Sequence, residues 1–165
     1  MIASVTGTAR HVGLDRVVVE VGGVGMLVHT PPSVAAAART GTEVSLATTL
    51  VVREDSMTLY GFTEPDARAL FALLQTVTGV GPRLAMATLA VLEPDALRRA
   101  LAESDTKSLT SVPGIGKRVA ERLCVELRDK VDRPTGEAST GVTVVGGIRE
   151  QVAEALVGLG FTAGP

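Results

Sequence analysis

The chain has 165 residues, of which 45% are apolar but only 2% aromatic, so its core must be built from Val, Leu and Ala. A net charge of −2 excludes an overall basic excess, so any nucleic-acid surface must be a local patch. One cysteine, Cys124, excludes an internal disulfide. The N-terminus lacks the pattern of a secretion signal, and no stretch approaches the ~20 apolar residues of a membrane span. These features predict a soluble, cytoplasmic protein of one domain or two small ones.

Up to about residue 62, short β-branched runs alternate with turn residues. Five runs predict strands, at residues 2–10, 15–21, 25–30, 43–52 and 56–62. Residues 33–39 predict one short helix, and Gly22, Gly23 and Gly25 mark a turn between the second and third strands. Five strands in so short a segment favour a small closed barrel of the oligonucleotide-binding (OB) type, with a small sandwich as the alternative.

From residue 63 onward the apolar pattern becomes helical. Helices are predicted at residues 64–77, 83–92, 93–104, 105–112 and 117–131. Residues 134–147 are rich in Gly, Ser and Thr and predict a flexible linker, and residues 148–161 predict one more helix. The chain is therefore predicted to be an α+β, multi-domain protein. Its predicted parts are a barrel (1–62), an all-α domain (63–133), the linker (134–147) and a helical tail (148–165).

A nine-residue sequence occurs twice in the helical region. Residues 77–85 read VTGVGPRLA and residues 112–120 read VPGIGKRVA, with five of nine positions identical. Each copy predicts a helix, a tight glycine turn and a second helix. Helices expose unpaired N–H groups and a positive dipole end at their N-termini, so each copy can hold a phosphate, and a cation just inside adds charge. This chemistry predicts binding to a nucleic-acid backbone without sequence preference.

The candidate backbone contacts fall into two matched sets. They are Gly79, Gly81 and Arg83 in the first copy, and Gly114, Gly116, Lys117, Arg118 and, less directly, Arg122 in the second. Two other phosphate motifs fit poorly, because the third glycine of a dinucleotide fingerprint is Leu84 or Val119, and the first glycine of a P-loop is Ser111. The remaining alternative is purely structural: two glycine turns that join packed helices. Arg98 and Arg99 are expected on an ordinary solvated helix face, and Cys124 in the core.

In its order of parts the chain resembles the bacterial RuvA family of Holliday-junction-binding proteins: barrel, two helix-hairpin-helix motifs, linker, helical tail. Residues 20–29, 51–62, 79–85 and 113–123 are similar to signatures of that family. The resemblance implies a homotetramer, or two tetramers as an octamer on DNA, that holds a four-way junction open and flat. It implies that the two hairpins grip backbone and that Arg53, Glu54 and Asp55 form an acidic pin at the junction centre.

The resemblance also implies partners and processes. They are the RuvB ATPase motor, which drives branch migration, and a RuvC-type resolvase on the same junction, in recombination, DNA repair and the SOS response. The family's third domain is a three-helix module that contacts the motor. Here the residues after the linker offer about one helix, so we expect an incomplete motor-binding module. No cofactor, metal or intrinsic catalytic site is implied.

Two other functions stay open. Helix-hairpin-helix domains often accompany repair nucleases or lyases, but His11 and His29 have no cysteine or acidic motif at metal-ligand spacing. Glu54 and Asp55 could hold Mg²⁺, although adjacent residues of a strand point to opposite faces. The second alternative is an interaction scaffold without a DNA role.

Overall fold

A computed structural model describes residues 2–131 as five strands and six helices. The strands are β1 (Ser4–Val12), β2 (Arg16–Val21), β3 (Val24–His29), β4 (Glu43–Val52) and β5 (Met57–Phe62). The helices are α1 (Pro32–Ala37), α2 (Pro65–Leu74), α3 (Pro82–Val91), α4 (Pro94–Ala102), α5 (Thr106–Thr110) and α6 (Lys117–Leu127). The predicted linker and tail helix lie outside the described residues. In the part described, no helix is both long and apolar enough to cross a membrane.

The five strands close into a barrel in the order β1-β2-β3-β5-β4. All neighbours are antiparallel except β3 and β5, which run parallel over two residue pairs. Alternate side chains point inward, as the period of a strand requires. The interior consists of Val5, Ala9, Val17, Val19, Val28, Ala35, Leu46 and Leu59. Closure confirms the predicted barrel and rules out the sandwich.

A two-residue turn joins β2 to β3. Gly22 and Gly23 have φ values of 57° and 83°, and Val21 pairs directly with Val24 across the turn. Positive φ at both central residues is the geometry that matches the twist of a β-hairpin, and glycine adopts it without steric cost. Gly25, which the sequence placed in this turn, lies within β3.

The starts of helices α2 to α5 follow two chemical patterns. α2, α3 and α4 each begin with proline, whose missing N–H is one that a helix cannot use at this position. α5 instead begins after Asp105, whose carboxylate accepts hydrogen bonds from the N–H of Ser108 (3.1 Å) and from its hydroxyl (2.5 Å). These hydrogen bonds hold the pKa of Asp105 below its ordinary value.

The helices share one apolar core that extends into their connecting turns. α2 ends at Leu74, three residues before the predicted end, yet Val77 in the following turn is 1% exposed. α6 likewise ends at Leu127, and Val131 beyond it remains buried. Cys124 lies in this core, as predicted, and its burial raises the pKa of the thiol. The helices are shorter than predicted because the hairpin turns contribute core side chains without helical geometry.

An aromatic cluster joins the barrel to the helices. The ring of Phe71 on α2 lies 5.1 Å from that of Phe62 and 5.0 Å from that of Tyr60, both on β5. Phe62 is fully buried and belongs to the helical core, and only two residues separate β5 from α2. The side chain of Phe62, the last residue of the barrel, thus completes the helical core. The division into separate domains at residue 62 stays a prediction.

Arg98 occupies a different environment from the one expected. Its guanidinium donates hydrogen bonds to the carboxylate of Asp66 at the start of α2 and to the carbonyl of Val131. Only a quarter of its side chain (25%) is exposed. The expectation of a solvated face was wrong for Arg98, because the packing of α4 against α2 brings it to a carboxylate that is distant in sequence. Arg99 is exposed, as expected.

Candidate nucleic-acid interface

The two copies of the repeated sequence form turns with the same backbone geometry. Gly79 and Gly114, the first glycine of each copy, have φ values of 91° and 92°. Gly81 and Gly116, the second glycines, are the N-cap residues of α3 and α6 and are extended, with ψ values of 177° and 170°. Side chains rarely adopt the left-handed φ of the first position, so glycine is favoured there.

Hydrogen bonds within the turns are also duplicated. The N–H of Val80 donates to the carbonyl of Val77 at 3.0 Å, and the N–H of Ile115 donates to that of Val112 at 3.0 Å. Each bond closes the turn around its positive-φ glycine. The chain thus contains two helix-hairpin-helix motifs, which we call the first hairpin (residues 77–85) and the second hairpin (residues 112–120).

Burial separates the repeated residues into two groups. The buried group comprises Val77, Val80 and Ala85 in the first copy and Val112, Ile115 and Ala120 in the second, with Leu74 and Leu109 three residues before each copy. The repeated glycines and the repeated arginine, Arg83 and Arg118, are exposed. Packing alone accounts for the buried pairs, but it gives no reason for an exposed arginine at the same place in both copies. The exposed group is therefore the part of the repeat that can contact a ligand.

Each hairpin presents the N-terminus of the following helix. A Cβ atom added to Gly81 or Gly116 would meet no other atom within 4 Å, so the space over both N-caps is open. Pro82 opens α3 and removes one N–H, whereas Lys117 opens α6 and keeps it. Unpaired N–H groups in the first turn of a helix are suited to bind anions. The second hairpin offers one more such donor than the first.

Two contacts tie the hairpins together. The Nη1 atom of Arg122 on α6 donates a hydrogen bond of 2.8 Å to the carbonyl of Thr78. A Cβ atom on Gly114 would lie 3.1 Å from Cδ1 of Leu84, so the second turn packs closely against the first residues of α3. Arg122 is exposed and has further N–H groups, so its predicted DNA contact stays a prediction. Its described partner is the first hairpin.

The cations of the hairpins differ in their surroundings. Lys117 lies 4.0 Å from Glu121 on the same helix, and its side chain is 83% exposed. Such a solvated pair stabilises a helix only weakly and leaves the ammonium accessible. Within the described residues, neither Arg83 nor Arg118 has a carboxylate within 4.0 Å. Both guanidinium groups are therefore available to an anionic ligand.

The predicted acidic pin is the turn between β4 and β5. Arg53, Glu54 and Asp55 are exposed, and the turn is closed by the N–H of Arg53, which donates to the carbonyl of Ser56 at 2.8 Å. The hydroxyl of Ser56 donates to Asp55 at 3.2 Å. The two carboxylates belong to a short turn and not to a strand, so the alternating geometry of strand residues does not apply to them.

A cleft of about 770 Å³ is lined by residues of the β4–β5 turn, of other parts of the barrel and of α3. Arg53 and Arg83 both line this cleft, so the structure brings together a residue of the predicted pin and a residue of the first hairpin. The remaining lining residues are Asp15, His29, Thr30, Pro31, Pro32, Val51, Ser56, Thr58, Tyr60, Met86, Ala87 and Ala90. We call this space the barrel–α3 cleft. Sequence patterns gave no sign of it, because its walls come from segments that are distant in the chain.

Residues 2–131 contain no group of three or more His, Cys, Asp or Glu side chains placed to hold a metal ion. The ring of His29 contacts that of Tyr60 at a tilt of 39°, with centroids 5.8 Å apart, and His11 lies in β1.

A five-stranded barrel followed by two hairpins with open helix N-termini defines a barrel protein with tandem helix-hairpin-helix motifs. Two family models match: the RuvA N terminal domain over residues 1–61 and the SAM-like helix-hairpin-helix tandem over residues 71–129. Because curated RuvA proteins are also 56–60% identical to it over 98–99% of its length, the chain belongs to the RuvA family.

Several curated relatives are similar over nearly the whole chain. Each is a protein named Holliday junction branch migration complex subunit RuvA. The Rhodococcus erythropolis protein is 60% identical over 163 residues, which cover 98% of this chain and 82% of the relative. The Nocardia farcinica protein is 59% identical, with coverage of 98% and 82%. The Mycobacterium ulcerans protein is 56% identical, with coverage of 99% and 83%.

Proposed function

We propose that this chain binds four-way DNA junctions through their sugar-phosphate backbone, without sequence preference. One observation carries the proposal: two hairpins with matching φ values each present open helix N-terminal N–H groups beside an exposed arginine. Such groups recognise phosphate and read no base edge. In this proposal the first hairpin holds the backbone of one strand with Gly79, Gly81 and Arg83. The second hairpin holds the other strand with its own set, from Gly114 to Arg118.

The names of the relatives support a role in a larger machine. Each is a subunit of a Holliday junction branch migration complex. We infer that this chain is the non-catalytic, DNA-binding subunit of such a complex. In this proposal it is a homotetramer, or an octamer on DNA, that directs the RuvB ATPase motor to the junction and shares it with a RuvC-type resolvase. The process served is recombination and DNA repair.

Selectivity for junctions over duplex is proposed to come from the exposed carboxylates of Glu54 and Asp55. In a fourfold assembly, eight carboxylates gather at the centre of the DNA face. A continuous duplex that crosses this centre brings phosphates close to them, and a screening length of about 8 Å damps the repulsion only in part. At an open junction the strands part at the centre, so the tips sit between them and hold the junction open and flat.

Gel-shift titration of the full chain tests the proposal. The ligands are a synthetic four-way junction, a second junction of scrambled sequence, and a linear duplex. We expect both junctions to bind alike and more tightly than the duplex, with all DNA recovered intact. Binding to neither DNA would support an interaction scaffold, and cleavage of the junction would support a nuclease or lyase. Either result contradicts the proposal.

A further inference from the structure

The barrel–α3 cleft has walls that suit a nucleotide better than an apolar protein segment. Arg53 of the β4–β5 turn and Arg83 of α3 both line it, and neither has a carboxylate partner among the described residues. The single acidic residue of the lining, Asp15, already pairs with Arg16 at 3.0 Å. The cleft therefore offers two guanidinium groups without an ion-pair partner to whatever enters it.

Within residues 2–131, three hydroxyl groups of the lining lack hydrogen-bond partners. Thr30 is 1% exposed and its Oγ1 atom is buried without a partner. Within the described residues the hydroxyls of Thr58 and Tyr60, which are half-buried, have none either. An unpaired buried hydroxyl is costly, and a hydrogen-bonding ligand that reaches this wall removes that cost. Unpaired hydroxyls favour a polar occupant, because an apolar segment would leave them unsatisfied.

An aromatic surface completes the site. The half-buried ring of Tyr60 lines the cleft. It contacts the rings of His29 and Phe71 at tilted angles of 39° and 37°, with centroids 5.8 Å and 5.0 Å away. Bases without a partner stack on such rings in proteins that bind single-stranded DNA. The volume of about 770 Å³ lies within the range of small-molecule sites, about 300–1,000 Å³.

We propose that the barrel–α3 cleft binds one unpaired nucleotide of the junction. This inference rests on the proposed function. Arg83 belongs both to the first hairpin and to the cleft, and Arg53 belongs both to the cleft and to the turn of Glu54 and Asp55. A strand that leaves the first hairpin toward the crossover therefore passes the cleft. A base that has left one partner and not yet met the next stacks there on Tyr60, while the two arginines hold the flanking phosphates.

The test compares two junctions that differ by a single nucleotide. One is fully paired, and the other carries one extra, unpaired thymidine at the crossover. We expect the full chain to bind the second at least about fivefold more tightly, which is the low end of the gain that base stacking on an aromatic ring provides. Equal binding of the two junctions overturns the inference while leaving the proposed function intact. Failure to bind either junction overturns both.

Two variants show whether the cleft is responsible. Ala90→Phe places a ring in the cleft from an exposed position of α3, and Thr58→Val removes one lining hydroxyl with little change of shape. We expect both to reduce the preference for the unpaired thymidine and to keep the affinity for the paired junction. The matched control is Ala36→Phe, at an exposed position of α1 outside the cleft lining. A preference that survives in Ala90→Phe and Thr58→Val contradicts the inference.

Photocrosslinking and mass measurement identify the occupant directly. With 5-iododeoxyuridine as the unpaired base, the crosslinked peptide should contain Tyr60 or His29. Crosslinks confined to the two hairpins contradict the inference.

A second copy of the chain is the competing occupant, and light scattering without DNA detects it. If Ala90→Phe alone lowers the molar mass and Ala36→Phe does not, the cleft is an interface between copies and the inference fails.

Discussion

Arg122 donates a hydrogen bond of 2.8 Å to the carbonyl of Thr78, 44 residues earlier in the chain. Thr78 immediately precedes Gly79, the residue of the first hairpin with a φ of 91°. A side chain that follows the second hairpin therefore holds the turn of the first. The spacing between the two proposed phosphate grips depends on this contact and on the packing of Leu84 against Gly114.

Replacement of Arg122 by alanine should loosen the first hairpin selectively. We expect faster amide hydrogen exchange at Gly79 and Val80 and little change at Ile115, because the lost bond is to Thr78. Loss of a charge-assisted bond at an exposed site should lower the free energy of unfolding by about 1 kcal/mol. Exchange measured by NMR and urea unfolding check these results. Arg128→Ala, at an exposed position after α6, is the control. Equal acceleration in both hairpins would argue against a local role for Arg122.

Replacement of Lys117 and Arg118 by alanine should weaken binding to junction and duplex alike, because phosphate contacts carry no sequence information. Each lost contact should reduce the slope of log K against log salt by about 0.9. Titrations at several salt concentrations measure the slope. The control is Arg128→Ala with Lys130→Ala, which removes the same charge from exposed positions outside the hairpins. A slope that changes equally in both double variants would assign the effect to net charge.

Neutralisation of the acidic turn should reduce junction selectivity. Glu54→Gln with Asp55→Asn should strengthen binding to duplex more than to junction, most clearly at low salt, because screening is then weakest. Paired titrations against both DNAs at two salt concentrations give the affinity ratio. The control is Glu93→Gln with Asp95→Asn, which makes the same charge change at exposed positions around the start of α4 and should leave the affinity ratio unchanged. If the ratio is constant in the first variant, junction choice comes from hairpin geometry.

The proposed assembly predicts a defined mass. Light scattering at micromolar concentration should give about 68 kDa, four times the 17.0 kDa of one chain. Exposed apolar side chains on the barrel, such as Leu14 at 89% and Val24 at 64%, are surfaces that association can cover. A mass of one chain at all concentrations would contradict the tetramer.

The carboxylate of Asp105, the N-cap of α5, should make the free energy of unfolding depend on pH in the acid range. Because hydrogen bonds from Ser108 lower the pKa of Asp105 in the folded state, its contribution is fully present above the unfolded pKa of about 3.9. The contribution is lost as the pH falls through the lower folded pKa. Asp105→Asn retains an N-cap acceptor and removes this titration. The difference in urea midpoint between the two proteins should shrink as the pH falls from 5 toward the folded pKa of Asp105.

Local patterns in the sequence predicted most of the fold. The bounds of β4 match at both ends, because its β-branched run stops where the polar turn begins. The repeat predicted both hairpins, since glycine at the turn and alanine at the helix contact are dictated by local geometry. The sequence could not predict the bond from Arg98 to Asp66 or the barrel–α3 cleft. Both depend on the angle at which distant segments pack, and no local pattern encodes that angle.

The short connection between Phe62 and Pro65 has a consequence for the lengths that the chain can tolerate. Phe62 is fixed in the helical core and Pro65 begins α2, so the connection of Thr63 and Glu64 cannot take up an added or deleted residue. One added residue inside α2 before Phe71 would turn the rest of that helix by about 100° and move its ring away from Phe62. Insertions cost little stability at the turn between β2 and β3, where Gly22 and Gly23 face open space. Length variation should therefore be found at the turn between β2 and β3 and be absent from residues 63–64, where it would change the orientation of both hairpins relative to the barrel.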